Sequence, residues 1–237
     1  MAVKLIAFDL DGTLTQHKTP LEAANRAVLE QLREKYRLLM VGAGTVRRIF
    51  GQLGSFPMDI IGNYGLQEGR YDAAAGDIVL VRDVAVDCDR ESVDRRMTAL
   101  RRRFGYEEYA GENVEFHDSG SITLPLLGTK ARQADKLAFD PDRSLRRRLL
   151  PAVREAFPEY TAFVGGSSSF DLAPRPYDKY FALCRYCQEQ GISREEVVYC
   201  GDDYGPGGND ESIARSDIRF VPVDDYTRLG EYLREFL

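Results

Sequence analysis

Histidine is scarce in this chain of 237 residues, which has only His17 and His117, and cysteine is confined to Cys88, Cys184, Cys187 and Cys200. Two histidines give poor support to a zinc hydrolase centre, because such sites draw on imidazole ligands. Cys184 and Cys187 form one CxxC inside a segment patterned as a helix, and no second pair completes a tetrathiolate, so they read as neighbours on a helical face. No apolar run reaches the roughly 20 residues that a membrane-spanning helix needs, and the opening Met1-Ala2-Val3-Lys4-Leu5 carries no signal-peptide stretch. The expected setting is a reducing cytoplasm. Positive charge is also short, with 32 Lys and Arg against 38 Asp and Glu and a net charge of -6. That balance argues against nucleic acid or an anionic membrane as the main partner. Basic residues do cluster at Arg101-Arg102-Arg103 and Arg146-Arg147-Arg148, and both runs read as solvated helix faces.

What the chain does have is an alternating rhythm at both ends. Apolar runs at 4–8, 37–41 and 58–61 read as strands, with helical spacing after Pro20 and over 45–53 between them. From Pro176 the rhythm returns: helix over 178–190, strand at 197–200, helix at 209–215, strand at 218–221 and a closing helix over 225–236. Such alternation predicts an α/β fold with a parallel sheet covered on both faces. The middle reads differently. Short strands at 64–73 and 77–82 precede a helix at 90–104, a hairpin at 114–116 and 121–127, helices at 130–138 and 144–157 (the second interrupted or kinked near Pro151), and strands at 161–164 and 168–173. The expected organisation is a discontinuous α/β core of residues 1–82 and 175–237 carrying an inserted α+β domain of residues 83–174.

The residues that suggest chemistry follow two predicted core strands. Asp9 and Asp11 sit in Phe8-Asp9-Leu10-Asp11-Gly12-Thr13-Leu14-Thr15, and Asp202, Asp203 and Asp210 follow the strand at 197–200. In a parallel sheet both clusters lie at the same edge, where ligands bind. Close carboxylates repel when ionised, so a hard divalent cation is their natural companion.

These motifs resemble the haloacid dehalogenase superfamily of phosphotransferases, and within it the eukaryotic-type phosphomannomutases and sugar phosphatases with the same kind of inserted cap. The resemblance runs over essentially the whole chain. It implies a Rossmann-like parallel-sheet core with an inserted α+β cap, with Asp9 as the nucleophile that forms an aspartyl-phosphate and Asp11 as the acid and base. It implies Lys179, in Pro176-Tyr177-Asp178-Lys179, as the basic residue that neutralises the transferring phosphoryl group. Asp9, Asp11 and Asp202 would hold Mg²⁺, Asp210 would coordinate it directly or through water, and Asn209 would fix the loop.

The second motif departs from the pattern: Val41-Gly42-Ala43-Gly44-Thr45 has no hydroxyl at Ala43, where many sugar phosphatases have threonine. Backbone N–H groups of Gly42, Ala43 and Gly44, with the Thr45 hydroxyl, are the substitutes for phosphate binding; a structural turn is the equal alternative. In the cap, Gly165-Gly166-Ser167-Ser168-Ser169-Phe170-Asp171 resembles the mutase segment that holds the sugar phosphate, which points to Ser169 and Asp171. Lys136 and Lys18 align by pattern with mutase arginines, whereas Thr129 and His117 stand where or near where the mutases have two more. Fewer fixed cations mean a weaker grip on a second phosphate. The expectation from sequence is therefore a Mg²⁺-dependent phosphatase acting on a sugar phosphate or similar small phosphorylated metabolite. The alternatives are a phosphomannomutase or other hexose-phosphate mutase, and a catalytically silent sugar-phosphate-binding protein.

Overall fold

A computed structural model describes residues 2–237. The chain forms two compact units: residues 2–84, 178–205 and 210–237 in the first, residues 85–177 and 206–209 in the second. Among the described residues no helix is long and apolar enough to cross a membrane.

The first unit contains β1 (Leu5–Phe8), α1 (Ala23–Arg33), β2 (Arg37–Val41), α2 (Val46–Gln52), β3 (Asp59–Gly62), β4 (Gln67–Asp72) and β5 (Asp77–Asp83). The second contains α3 (Arg90–Phe104), β6 (Glu115–Phe116), β7 (Ile122–Pro125), α4 (Gln133–Phe139), α5 (Ser144–Ala156), β8 (Tyr160–Gly165) and β9 (Ser169–Pro174). The chain then returns to the first unit with α6 (Lys179–Gln190), β10 (Val197–Gly201), α7 (Glu211–Ala214), β11 (Arg219–Pro222) and α8 (Leu229–Tyr232).

The core sheet has seven strands in the order β11-β10-β1-β2-β3-β4-β5. β11, β10, β1, β2 and β3 are parallel, and β4 and β5 extend the sheet antiparallel. All four residues of β1 are buried because alternate side chains enter different cores. Ile6 and Phe8 pack with Leu29, Leu32 and Ile49 of α1 and α2, whereas Leu5 and Ala7 pack with Ala182, Leu183 and Tyr186 of α6. Helices on both faces leave the carboxyl edge of the parallel strands as the place where loops meet.

The predicted helix ends need two corrections. α1 starts at Ala23 and not at Pro20, because Leu21 donates its N–H to the Gln52 carbonyl at 3.0 Å and Glu22 is extended. The predicted closing helix over 225–236 is instead a 3₁₀ turn at Tyr226–Arg228 followed by the four-residue α8. Gly230 sits within that stretch and disfavours a longer helix.

In the second unit β6-β7-β9-β8 form a four-stranded antiparallel sheet. Ile122, Leu124, Phe170, Leu172, Ala162 and Val164 face Val93, Met97, Leu100, Leu150, Val153 and Phe157 of α3, α5 and the segment after it. The register sets Thr123 opposite Asp171 and Pro125 opposite Ser169, so these residues share the other face. α5 continues through Pro151 without interruption, its apolar stripe anchored at Leu150 and Val153.

Two arginines depart from the solvated helix faces predicted for their clusters. Arg101 is 2% exposed and Arg146 1%, while Arg102, Arg103 and Arg148 stay exposed. Both buried residues extend apolar stripes at helical spacing, Val93-Met97-Arg101 and Arg146-Leu150-Val153. Arg101 donates from Nε to Asn113 Oδ1 at 2.6 Å and from its Nη atoms to the carbonyls of Pro125 and Leu126 at 2.5 and 2.7 Å.

Candidate active site

At the end of β1 the Asp9 N–H still pairs with the Cys200 carbonyl at 2.9 Å, and the chain then folds into a tight turn. The N–H groups of Thr13, Leu14 and Thr15 converge on the Leu10 carbonyl, and Gly12, at φ 105°, bonds back to Thr15. Glycine is required here: a Cβ at Gly12 would lie 2.4 Å from the Asp202 carboxylate, and one at Gly201 would lie 2.5 Å from that of Asp210. The two glycines let acids from neighbouring strand ends approach the same point.

Lys179 opens α6 behind its N-cap Asp178, whose carboxylate accepts the Phe181 N–H at 2.7 Å. Its side chain is completely buried, with Nζ 2.5 Å from Asp9 Oδ1 and 2.7 Å from Asp210 Oδ1. Burial alone opposes the charge on Lys179, but Asp210 and Asp9 outweigh it and raise its pKa. Asp9 is held well above the usual carboxylate range, chiefly by burial and further by Asp210 and Asp202, with Lys179 opposing. Asp202, which accepts from the Thr13 hydroxyl at 3.1 Å, is raised by burial and by Asp210.

Ligand atoms of Asp9, Asp202 and Asp210 lie within 4.8 Å of one another, an arrangement able to hold a divalent cation. Asp210 already accepts from Lys179, from the Tyr199 hydroxyl at 2.6 Å and from the Asp203 N–H at 3.1 Å. It anchors the lysine while remaining one of the three carboxylates of the cluster. Asp9, Asp202 and Asp210 are the carboxylates whose repulsion a cation would relieve, and the donor set fits a hard metal ion.

Asp11 belongs to the same turn, but its carboxylate faces α2. Oδ1 accepts from the Lys18 N–H at 2.8 Å and from Gln52 Nε2 at 2.7 Å. Gln52 is oriented by two further bonds, accepting from Arg48 at 2.8 Å and donating to the Thr15 hydroxyl at 3.0 Å. Sequence reasoning missed both Gln52 and Arg48. The available signal was their spacing with Thr45, since 45, 48 and 52 line one side of a helix. Lys18, at φ 58°, meets Asp11 through its backbone.

The second motif supplies less than its N–H groups promised. Gly42 donates its N–H to the Ile61 carbonyl at 2.9 Å within the sheet, so it is not part of an anion cradle. Thr45 caps α2, its hydroxyl accepting from the Arg48 N–H at 3.3 Å. A Cβ at Gly44 would lie 2.1 Å from the Arg48 guanidinium, so a cation lies against the turn that contains Ala43 and Gly44.

In the second unit Ser169 donates to the Gly165 carbonyl at 3.2 Å, and Asp171 accepts from Thr123 at 3.1 Å. His117 Nε2 is 3.1 Å from the same Thr123 hydroxyl, which extends the row to His117–Thr123–Asp171. Lys136 donates to the Thr129 carbonyl at 2.9 Å, and the Thr129 hydroxyl accepts from the Glu112 N–H at 2.9 Å. Asn209 belongs to the segment 206–209, which packs with this unit: the Gly207 carbonyl accepts the Val164 N–H at 2.8 Å. The structure therefore gathers Asp9, Lys179, Asp202 and Asp210, with Asp11 on the same turn, and places Ser169 and Asp171 together on one strand of the second unit.

The family model of eukaryotic phosphomannomutase matches residues 25–221. The chain belongs to the eukaryotic phosphomannomutase family. It is 27% identical over 218 residues to the phosphomannomutase of Saccharomyces cerevisiae, covering 88% of this chain and 84% of that one. It is 24% identical over 245 residues to the phosphomannomutase of Encephalitozoon cuniculi, covering 98% and 94%. Among solved structures, a phosphatase of the HAD superfamily from Bacteroides thetaiotaomicron superimposes with a TM-score of 0.63 at 16% identity, covering 99% of this chain and 95% of that one. A haloacid dehalogenase-like hydrolase from B. subtilis gives 0.65 at 18% identity, covering 99% and 100%. These likenesses establish the HAD-like fold.

Proposed function

We propose that this phosphomannomutase-family protein is a hexose-phosphate mutase that works through an aspartyl-phosphate on Asp9. The observation that carries the aspartyl-phosphate chemistry is the buried Lys179 bridging Asp9 and Asp210 beside Asp202, and the family match supports a sugar as the acceptor. In the first half-reaction an Asp9 oxygen attacks phosphorus, the bond from phosphorus to the sugar oxygen breaks, and Asp11 gives that oxygen a proton. In the second, Asp11 takes the proton of the acceptor hydroxyl, the new oxygen–phosphorus bond forms and the Asp9 carboxylate is released. Lys179 offsets negative charge on Asp9 and on the phosphoryl oxygens throughout. A Mg²⁺ ion held by Asp9, Asp202 and the main chain of Asp11 would supply further charge neutralisation. Asp210 serves by holding Lys179, and Gln52 by orienting Asp11. Ser169, Asp171 and Lys136 are the sugar-phosphate ligands of the second unit, Asn209 shapes its loop, and Lys18, Ala43, Gly44 and Thr45 border the phosphoryl site.

The incomplete cap arginine pattern favours water as acceptor; membership of the phosphomannomutase family supports a sugar hydroxyl, and we give it the greater weight. Hydrolysis of a sugar phosphate stays as the second reading for one reason. The Thr129 hydroxyl is engaged by Glu112 N–H, and His117 is engaged with Thr123, where arginines would grip a remote phosphate. The test is a panel of hexose and pentose monophosphates with and without a hexose bisphosphate, following free phosphate and isomer together. Bisphosphate-dependent interconversion supports the mutase. Free phosphate alone supports the phosphatase, and neither product with retained binding supports a silent sugar-phosphate-binding protein.

A further inference from the structure

The buried Arg146 of the second unit has partners that a merely stabilising residue would not need. Its Nε donates to Asp140 Oδ2 at 3.0 Å and its Nη2 to the Asp140 carbonyl at 3.2 Å. Asp140 in turn accepts the N–H groups of Leu145 and Arg146, both at 3.0 Å, so it caps the first turn of α5 in place of Arg143, which makes no side-chain cap. The other guanidinium nitrogen, Nη1, donates to the carbonyls of Gly165, Gly166 and Ser169 at 2.6, 3.0 and 3.2 Å. One planar fork thus locks the start of α5 to both arms of the β8–β9 turn.

That turn is built around Ser169 and Asp171. A Cβ at Gly165 would lie 2.2 Å from the Asp171 carboxylate, so the glycine provides the space in which Asp171 sits. The Gly165 carbonyl accepts from Ser169 Oγ as well as from Arg146. Moving Gly165 therefore shifts both the carbonyl that Ser169 bonds and the space that Asp171 occupies. Burying an ion pair is often a poor route to stability, because apolar residues of similar volume can serve as well; what this guanidinium supplies that they could not is a set of directed bonds that fix the turn to Asp140.

We propose that Arg146, paired with Asp140, is the positioning residue of the sugar-binding hairpin, setting Ser169 and Asp171 for a hexose phosphate. This rests on the reading of Ser169 and Asp171 given above. It concerns the grip on substrate and leaves phosphorylation of Asp9 to the core.

Arg146→Lys tests it, since lysine keeps the charge and the Asp140 pair but cannot reach three carbonyls together. The full chain is assayed with mannose 1-phosphate, and labelling of Asp9 is followed separately with acetyl phosphate, a donor without a sugar. Arg146→Lys raises the KM for mannose 1-phosphate about tenfold, with a smaller change in kcat and unchanged labelling by acetyl phosphate. In a Ser169→Ala, Asp171→Asn background the same substitution changes KM by less than about twofold. Should Arg146→Lys not fold, Asp140→Asn, which keeps the guanidinium, raises KM in the same direction by a smaller factor. An unchanged KM in the folded variants, or labelling that falls in step with the KM change, overturns the inference. A wild-type protein that is labelled by acetyl phosphate but neither binds nor converts any hexose phosphate overturns the sugar-phosphate reading itself, and this inference with it.

Discussion

The two units bury charge for opposite ends. In the core, one buried ammonium is shared by Asp9 and Asp210 with Asp202 alongside, so negative charge is in excess and burial drives the Asp9 and Asp202 pKa values upward. In the second unit the buried guanidiniums of Arg101 and Arg146 are surrounded mainly by backbone carbonyls, with Asp140 as the ion-pair partner of Arg146. The first arrangement carries an excess of negative charge, which a divalent cation would relieve. The second is satisfied within itself and fixes loop shape. Buried charge is thus handled by different side-chain chemistry in the two units.

The contrast can be broken most strongly at the core. Asp9→Asn should reduce turnover by at least about a thousandfold while leaving a cooperative thermal transition, because the amide keeps the shape of the proposed nucleophile and Lys179 keeps Asp210 as its buried partner. Turnover within tenfold of wild type would shift the nucleophile elsewhere. Lys179→Ala should cost about a hundredfold or more in kcat. It should also destabilise the fold by about 3–5 kcal/mol, since Asp9 and Asp210 lose their buried partner. Urea unfolding checks the second number, and a variant as stable as wild type would mean that the ion pairs are not structural.

The next effect concerns metal and pH. A carboxyl held above its ordinary pKa binds its proton more tightly folded than unfolded, so Asp9 and Asp202 cost the fold stability as pH rises from the unfolded carboxylate range, about 4, towards their folded values. Lys179, raised by its partners, adds no slope there, because it is protonated in both states below about pH 9. Mg²⁺ should therefore raise the melting temperature more at pH 7.5 than at pH 5.5, with about 2.7 kcal/mol of stabilisation at a hundredfold excess over Kd. EDTA should abolish the gain and Asp202→Asn should remove most of it. An equal gain at both pH values would separate the cation from these acids. Smallest of the core effects, Gln52→Ala should lower kcat about tenfold with little change in KM, since it loosens Asp11 without touching substrate. A KM change alone would assign Gln52 to binding.

Much of this was legible in the sequence because it depends on local order. The apolar run before Asp9 reads as a buried strand, and a parallel sheet carries Asp9 and Asp202 to one edge whatever their surroundings. The positions of long side chains were not legible. Arg101 and Arg146 read as solvated by residue type; their spacing continues the apolar stripes, but the backbone carbonyls that replace water around them come from distant segments that only the fold brings there. Gln52 and Arg48 lie far from Asp11 in sequence, and only the packing of α2 beside the first turn brings them there. The engagement of Asp210 by Lys179, Tyr199 and the Asp203 N–H likewise depends on three separate elements meeting. The acceptor preference drawn from Thr129 and His117 rested on residue identity in the unit whose contacts sequence shows least.

The most direct test of the core as a phosphoryl-transfer centre is mass spectrometry of peptides after brief incubation with Mg²⁺ and a hexose bisphosphate, quenched in acid. The prediction is one added phosphoryl group on the peptide containing Asp9, absent in Asp9→Asn and chased by a hexose monophosphate. Turnover without any label on that peptide, or with the label on another residue, would contradict the account.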